Sequence, residues 1–260
     1  MRRALLLLLA LCMSCAEPAP EPSVYPLAPV QVVRIRVALP DYIAALESEP
    51  AAPRHAQIRT WISAGQTDLA EAALHALLAK GADGEASFLM GWTLYAQTRY
   101  AQALPHLQAC VSAGPGYPQA ERAFFLLGRC LQERGDLQAA RAAYEADIRL
   151  LPDQGQGRFR LAQLDLEAGV LEACEAGARA ALEHFTRPRD QAKTHALLAD
   201  VMEARDDLAG ARVELELCVQ LFPHYEAFYK LSRLCGQLGD QAAAKRYLQE
   251  HQLWRTRAGR

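Results

Sequence analysis

Small residues return along the chain at nearly regular intervals, each within a stretch that carries aromatic or aliphatic side chains. Gly91 is followed by Gly128 after 37 residues, and Ala162, Ala199 and Ser232 come at further intervals of 34, 37 and 33 residues. Repetition at a period in this range is typical of stacked structural units. The pattern therefore predicts a solenoid, which offers an extended concave surface for binding and has no single closed core.

Turn residues follow each small residue by seven to nine positions and divide every unit into two helices. These turns lie at 98–100, 135–137, 169–171, 206–208 and 239–241. Such residues end one helix and cap the next. A second small residue comes three positions after each turn. Because helices approach closely where both side chains are small, we expect Gly128 to face Ala140, with larger residues such as Leu107 and Tyr144 filling the remaining gap.

These landmarks together resemble the tetratricopeptide repeat (TPR), a helix–turn–helix unit that often closes with proline. The residues of the best-matching unit, 121–154, are Phe124, Leu127, Gly128, Leu131, Gly135, Leu137, Ala140, Tyr144 and Pro152. Other units depart from the family pattern at Thr186 and Gln241, and Asp147 stands at a usually small position. The resemblance implies an all-α fold, a right-handed superhelical solenoid of about six antiparallel helix pairs. We assign this array to residues 53–260.

The first fifteen residues have the layout of a bacterial lipoprotein signal peptide. A positively charged start precedes an apolar segment that is too short to span a bilayer. Residues 13–15 resemble a lipobox in which Cys15 is lipidated, although Cys12 stands where leucine is usual. Ala16 after the lipid cysteine then implies a lipoprotein of the cell outer membrane that faces the periplasm. Ordinary signal cleavage at the same place is the alternative, and it would leave the protein soluble in the periplasm or secreted.

Residues 16–52 are predicted to form a proline-rich tether between the lipid and the repeats. Its prolines include Pro18, Pro20, Pro22, Pro26, Pro29 and Pro40. Within it, residues 33–37 alternate like a short strand, and a short helix could follow. The strand-like segment could pack on the first helix, stay extended, or pair with the sheet edge of a partner.

Composition and motifs argue against several classes of function. The formal net charge of −2 provides no basic field that would recruit nucleic acid or an anionic membrane. The chain has no His-Glu-x-x-His motif, no glycine-rich phosphate loop and no Gly-x-Ser-x-Gly motif. His195 falls at a packing position of its repeat, and Asp206 and Asp207 suit a helix cap. We therefore predict a protein that is not an enzyme and that uses no cofactor or metal.

Five cysteines follow the lipidation motif, and all of them fall at positions that the repeat packs. Free cysteine behaves there as a small apolar residue. Two pairs, Cys110 with Cys130 and Cys218 with Cys235, come at positions that face each other between units. In an oxidising periplasm these pairs could form disulfides.

The candidate partner-binding residues lie at positions that line the concave face in the TPR family. They are Trp61, Phe88, Trp92, Tyr95, Arg122, Phe125, Arg129 and Phe159. Phe88, Trp92 and Tyr95 follow the i, i+4, i+7 spacing of one helix stripe. Aromatic and arginine side chains are typical of binding hot spots. The alternative is that the rings pack between neighbouring helices and fill the inner wall.

The resemblance implies a non-enzymatic, membrane-anchored TPR scaffold that binds a protein or peptide in the cell envelope. Similar lipoproteins assist the assembly of outer-membrane, pilus or cell-wall complexes. The alternative is a carrier or sensor of an apolar small molecule or glycan fragment in the aromatic groove. The basic and asparagine clamp of chaperone-binding TPR proteins is missing, so acidic chaperone tails are not the expected ligand.

Overall fold

Consecutive helices of the chain pack as hairpins, as the repeat pattern predicts. The computed structural model describes residues 51–81, 83–114, 116 and 119–258. Within these ranges the chain forms twelve α-helices and one short 3₁₀ helix, and no strand. The predicted signal peptide with Cys15, and the predicted tether up to residue 50, lie outside the described residues. The first described helix begins at Ala51, so the last two residues of the segment 16–52, for which a short helix was considered, are helical.

Six helix pairs follow one another along the described chain. They are α1 (Ala51–Ser63) with α2 (Thr67–Leu78), α3 (Gly84–Ala96) with α4 (Tyr100–Ala113), α5 (Ala123–Glu133) with α6 (Leu137–Leu150), α7 (Gly155–Glu167) with α8 (Leu171–Leu182), α9 (Pro188–Ala204) with α10 (Leu208–Leu221), and α11 (Tyr225–Gln237) with α12 (Gln241–Ala258). The 3₁₀ helix Ala120–Arg122 comes directly before α5. None of the described helices combines the length and the apolar character needed to cross a bilayer.

The first helices of neighbouring units adjoin one another. Each helix contacts the next one in the chain, and in addition α1 contacts α3, α3 contacts α5, and α7 contacts α9. This arrangement is the one expected of a solenoid, in which each repeat packs on its neighbours. Side chains from the first helices of successive units can therefore share one surface.

The predicted turns end one helix and cap the next. Gly135 has a φ of 85°, and its N–H donates to the carbonyl of Gln132 at 2.9 Å while the Asp136 N–H donates to the carbonyl of Leu131 at 2.9 Å. These bonds satisfy carbonyls at the end of α5 that have no partner within the helix. Asp136 then caps α6 because its side chain accepts from the Ala139 N–H at 3.4 Å. The residues that make these bonds are all close neighbours in the sequence.

Within a unit, a glycine on the first helix faces a large residue on the second. A Cβ atom on Gly91 would lie 2.6 Å from the Leu107 side chain, and one on Gly128 would lie 2.6 Å from the Tyr144 ring. The three atoms nearest to the Gly128 position all belong to Tyr144. The nearest contact of Gly128 is therefore with Tyr144, which was expected to fill this gap, and the contact of Gly128 with Ala140 stays a prediction. A small residue on one helix makes room for a large one on the other, which fills the interface without a void.

The core divides into three clusters along the array. The first joins buried residues from Ile58 to Tyr144 together with Leu164, the second runs from Phe159 to Val201, and the third from Ala192 to Tyr247. A division of this kind is expected where each unit packs only on its neighbours.

The cysteines of the repeats are buried in these clusters, as the packing interpretation predicts. Cys130 and Cys235 carry thiols that are not bonded to another sulfur. Neither of the two disulfides considered from the sequence, Cys110–Cys130 or Cys218–Cys235, is therefore formed in the structure. Burial raises the pKa of the Cys130 thiol to about 12 and that of Cys218 to about 11, so these groups stay protonated at neutral pH. The thiolate is the form that reacts, so burial also protects them from oxidation.

Candidate partner-binding groove

Seven of the eight candidate residues lie on the first helices of four successive units, and the eighth lies on the 3₁₀ helix. Trp61 is on α1; Phe88, Trp92 and Tyr95 are on α3; Arg122 ends the 3₁₀ helix; Phe125 and Arg129 are on α5; and Phe159 is on α7. These residues differ in how much of each side chain is buried. Trp61, Phe88 and Phe159 are buried, with at most 8% of each residue exposed. The other three rings and Arg129 are half-buried, and Arg122 is exposed. The set is therefore part core and part accessible surface.

Four of these residues meet in one cavity of about 220 Å³, which we call the α3–α5–α7 cavity. Its lining residues are Phe88, Trp92, Gln119, Arg122, Phe125, Leu126, Asp147, Leu151, Gln154 and Gln156. They come from three successive units, so no single repeat could form this site. The ring centroids of Phe88 and Trp92 are 6.1 Å apart. The ring centroids of Phe125 and Tyr144 are 6.2 Å apart, and the Tyr144 ring is buried.

A polar stretch continues from this cavity along α5 and α7. The Arg129 Nε donates to the Tyr95 hydroxyl at 3.4 Å, and its Nη2 lies 3.1 Å from Glu133. Burial and the nearby charge of Arg129 lower the pKa of Arg160. Tyr95, Arg129 and Phe159, the remaining predicted residues of α3, α5 and α7, thus lie beside the cavity and not in its lining.

A second, smaller pocket of about 70 Å³ borders the first one. Its lining residues are Phe125, Gln156, Phe159, Arg160, Phe185, Asp190 and Lys193. Phe125 and Gln156 line both pockets, so the two are neighbours on the same surface. Trp61 is not among the lining residues of either pocket. It belongs to the first core cluster, in line with the packing alternative for this ring.

Sequence reasoning did not assign a role to the most unusual member of the cavity, Asp147. Only 3% of this residue is exposed, and its Oδ1 has no hydrogen-bond partner among the described residues. The other carboxylate oxygen occupies the space that a side chain on Gly157 would take. Burial raises the pKa of Asp147 to about 6. The sequence feature that could have drawn attention to Asp147 is an acidic residue at a repeat position where the TPR family usually has a small one.

Other polar groups of the described chain have structural roles. His195 pairs through Nδ1 with the Glu214 Oε2 at 2.7 Å, which links α9 to α10. Asp207 caps α10, because its Oδ1 accepts from the Gly210 N–H at 2.8 Å. In the ranges that the structure describes, no group of three or more histidine, cysteine, aspartate or glutamate side chains could hold a metal ion.

Comparison with known proteins identifies repeats in two parts of the chain. The tetratricopeptide repeat family matches residues 58–118 and 88–154, and again residues 225–250. None of the curated proteins matches this sequence.

Several solved structures share the fold at low sequence identity. PilF of Pseudomonas aeruginosa superposes with a TM-score of 0.65 at 15% identity, over 83% of this chain and 93% of that one. The C-terminal part of a TPR repeat-containing protein from Cytophaga hutchinsonii gives 0.62 at 15% identity, over 76% and 77%. MamA of Desulfovibrio magneticus RS-1 gives 0.57 at 14% identity, over 66% and 95%. At this identity the likeness concerns the fold alone. The described chain is thus an all-α, TPR-like solenoid, with tetratricopeptide repeats detected over residues 58–154 and 225–250.

Proposed function

We propose that this protein is a non-enzymatic scaffold that holds a peptide segment of a protein partner on the surface formed by α3, α5 and α7. The observation that carries the proposal is the α3–α5–α7 cavity, in which Phe88, Trp92, Arg122 and Phe125 come together from successive units. Solenoids bind partners along surfaces of this kind. Aromatic and arginine residues around a pocket are also the usual composition of a binding hot spot.

The size of the cavity favours a peptide over a carried small molecule. Pockets that enclose a small ligand generally measure roughly 300–1,000 Å³. The α3–α5–α7 cavity measures about 220 Å³. This volume suits a single inserted side chain, with the rest of the ligand lying across the neighbouring surface of α5 and α7. The carrier or sensor of an apolar molecule or glycan fragment is therefore the weaker proposal.

Site-specific photocrosslinking tests the location of the partner. A benzophenone amino acid placed at Trp92 should give a discrete crosslinked partner in the native cells. The matched control places the same group at Tyr229, which occupies the equivalent repeat position of Phe88 and Phe125 in the last unit and is 54% exposed. Equal crosslinking from both positions would contradict the assignment of the partner-binding site to the α3–α5–α7 cavity.

The double change Trp92→Ala and Phe125→Ala should weaken partner capture strongly while the protein stays folded. Both rings are half-buried, and hot-spot truncations commonly cost about 2 kcal/mol or more in binding. Tyr229→Ala is the control and should leave capture unchanged. Circular dichroism and thermal melting verify the fold of each variant. A folded double variant with normal capture would refute this location of the site.

Membrane attachment is a separate part of the proposal and depends on the N-terminal sequence. We propose that Cys15 carries the lipid and that the protein is attached to the outer membrane, facing the periplasm. Lipid chains supply the apolar surface that holds such a protein at a bilayer, and two or more chains hold it firmly. The change Cys15→Ser should move the protein from the membrane fraction to the soluble one. If mass spectrometry finds ordinary cleavage and no lipid, this part is wrong and the scaffold proposal still stands.

A further inference from the structure

Two residues that line the same cavity each carry a buried hydrogen-bond acceptor without a partner among the described residues. The Asp147 Oδ1 and the Gln119 Oε1 are both buried and make no hydrogen bond within the described residues. Both residues line the α3–α5–α7 cavity. Buried polar atoms of folded proteins nearly always have a partner, and a buried carboxylate without one is costly. Two such acceptors at one cavity therefore indicate that the missing donor comes from outside the described residues.

The described residues do not supply a counter-ion to Asp147. Arg122 also lines the cavity, but its side chain is exposed and forms no ion pair with Asp147 among the described residues. The contrast with Asp165 on α7 is informative. That carboxylate is similarly buried, and its Oδ1 accepts from the Arg141 Nη2 at 2.6 Å. The array thus pairs one buried aspartate with its own arginine, whereas the other, which lines the cavity, has no such partner among the described residues.

The remaining walls of the cavity favour the same kind of ligand. Phe88, Trp92 and Phe125 contribute aromatic rings. The face of an aromatic ring carries negative charge density and attracts a cation, most strongly at tryptophan. The rings also provide apolar surface for an alkyl chain. A carboxylate, an amide oxygen and three rings together suit a positively charged group with several donors on an aliphatic stem.

We propose that the α3–α5–α7 cavity receives a lysine or arginine side chain of the bound peptide. Its charged end donates hydrogen bonds to Asp147 and Gln119, and its aliphatic part packs on Phe88, Trp92 and Phe125. This inference rests on the proposed function, since it specifies which residue of a peptide partner enters the groove. Gly157 contributes by leaving room for the Asp147 carboxylate, because a larger residue there would displace it.

Small probes test the chemistry of the cavity without knowledge of the partner. The purified ¹⁵N-labelled protein is titrated with n-pentylammonium, n-butylguanidinium, pentan-1-ol and pentanoate. The Trp92 indole and the Gly157 amide report binding by nuclear magnetic resonance. Both cations should shift these signals saturably, with affinities at least about tenfold above that of the uncharged alcohol, as for a hydrogen bond to a charged group. Pentanoate should not bind. Equal affinities for the ammonium ion and the alcohol would overturn the inference.

Matched variants assign the effect to Asp147. The change Asp147→Asn keeps the shape of the side chain and removes its charge, so it should abolish the preference for the cations over the alcohol. Glu145→Gln, an exposed change on the same helix with the same loss of charge, should leave the preference intact. A retained preference in Asp147→Asn would refute the assignment.

The two tests separate this inference from the proposed function. If the cations bind at the cavity and photocrosslinking at Trp92 yields no partner, the site exists and the scaffold proposal fails there. If a partner crosslinks at Trp92 and the cavity shows no preference for cations, only the present inference fails.

Discussion

At the scale of single residues, the most consequential contrast is between two buried aspartates on adjacent helices. Asp165 on α7 accepts a hydrogen bond from Arg141 on α6, while the Asp147 Oδ1 on α6 accepts none within the described chain. A buried charge is tolerated when it is paired and is destabilising when it is not. The two side chains should therefore affect the free energy of unfolding in opposite directions when their charge is removed.

Asp147→Asn is expected to stabilise the ligand-free protein at neutral pH. Burial raises the pKa of Asp147 from 3.8 to about 6, so ionisation costs the folded state roughly 3 kcal/mol above pH 6. A raised carboxylate pKa means that this cost is absent below the unfolded value and grows as the pH rises from about 4 to 6. Urea unfolding at pH 7 and pH 4 measures the difference. The increase in the free energy of unfolding caused by Asp147→Asn should be present at pH 7 and nearly absent at pH 4.

Asp165→Asn is the matched comparison and should destabilise the protein at pH 7. It removes the charged acceptor of the 2.6 Å hydrogen bond from Arg141, an interaction worth about 1–3 kcal/mol. Destabilisation by Asp147→Asn at pH 7 would show that its carboxylate has a partner in solution.

At the scale of the helix pair, close packing depends on a small residue opposite a large one. Gly128 on α5 lies against Tyr144 on α6, and Gly91 on α3 lies against Leu107 on α4. Tyr144 and Leu107 are both fully buried. The Tyr144 hydroxyl also donates to the Gln132 side chain at 2.8 Å, which fixes the ring in place. A ring held in this way cannot easily yield space to an added methyl group.

Gly128→Ala is expected to destabilise the protein by about 1–3 kcal/mol, the usual cost of overpacking a core. The added Cβ would lie 2.6 Å from the Tyr144 ring. Gly236→Ala on α11 is the control, because a Cβ there meets nothing within 4 Å. That change should be neutral or stabilise the helix by about 0.5–1 kcal/mol. Chemical denaturation of both variants gives the comparison, and similar effects at the two sites would contradict the packing described for Gly128.

At the scale of the whole molecule, the described chain has a core divided among three clusters and not one centre. The α3–α5–α7 cavity takes most of its lining from elements of the first cluster. The helices α11 and α12 belong to the third. In a linear array, damage is passed on only through contacts between neighbouring units. Binding at the cavity should therefore be insensitive to moderate damage near the C-terminal end.

Leu231→Ala should lower amide hydrogen-exchange protection in α11 and α12 and leave α3 to α6 protected. Leu231 is fully buried in the third cluster, and such truncations cost about 2–5 kcal/mol. Leu107→Ala, a change of the same type in the first cluster, should give the reverse pattern. A uniform loss of protection in either variant would mean that the array unfolds as one cooperative unit.

The fold could be predicted from the sequence because its determinants are local and repeat. The spacing of small residues, the glycine and aspartate turns such as Gly135 and Asp136, and the closing prolines each act within a few residues of the chain. Together they indicate helix pairs and their number, and the structure confirms an all-α, TPR-like solenoid. Cys15 and the tether stay predictions, because Cys15 and the tether up to residue 50 lie outside the described residues.

Tertiary structure alone decided how deep each candidate residue lies and what it touches. Helical position places Phe88 and Trp92 on one stripe, yet Phe88 is buried and Trp92 is half-exposed. That difference depends on packing against the helices around α3, which include helices of the neighbouring units. For the same reason no sequence pattern showed that Asp147 lacks, among the described residues, the arginine partner that Asp165 has. A repeat pattern specifies the face on which a residue lies, whereas its partners are set by packing between units.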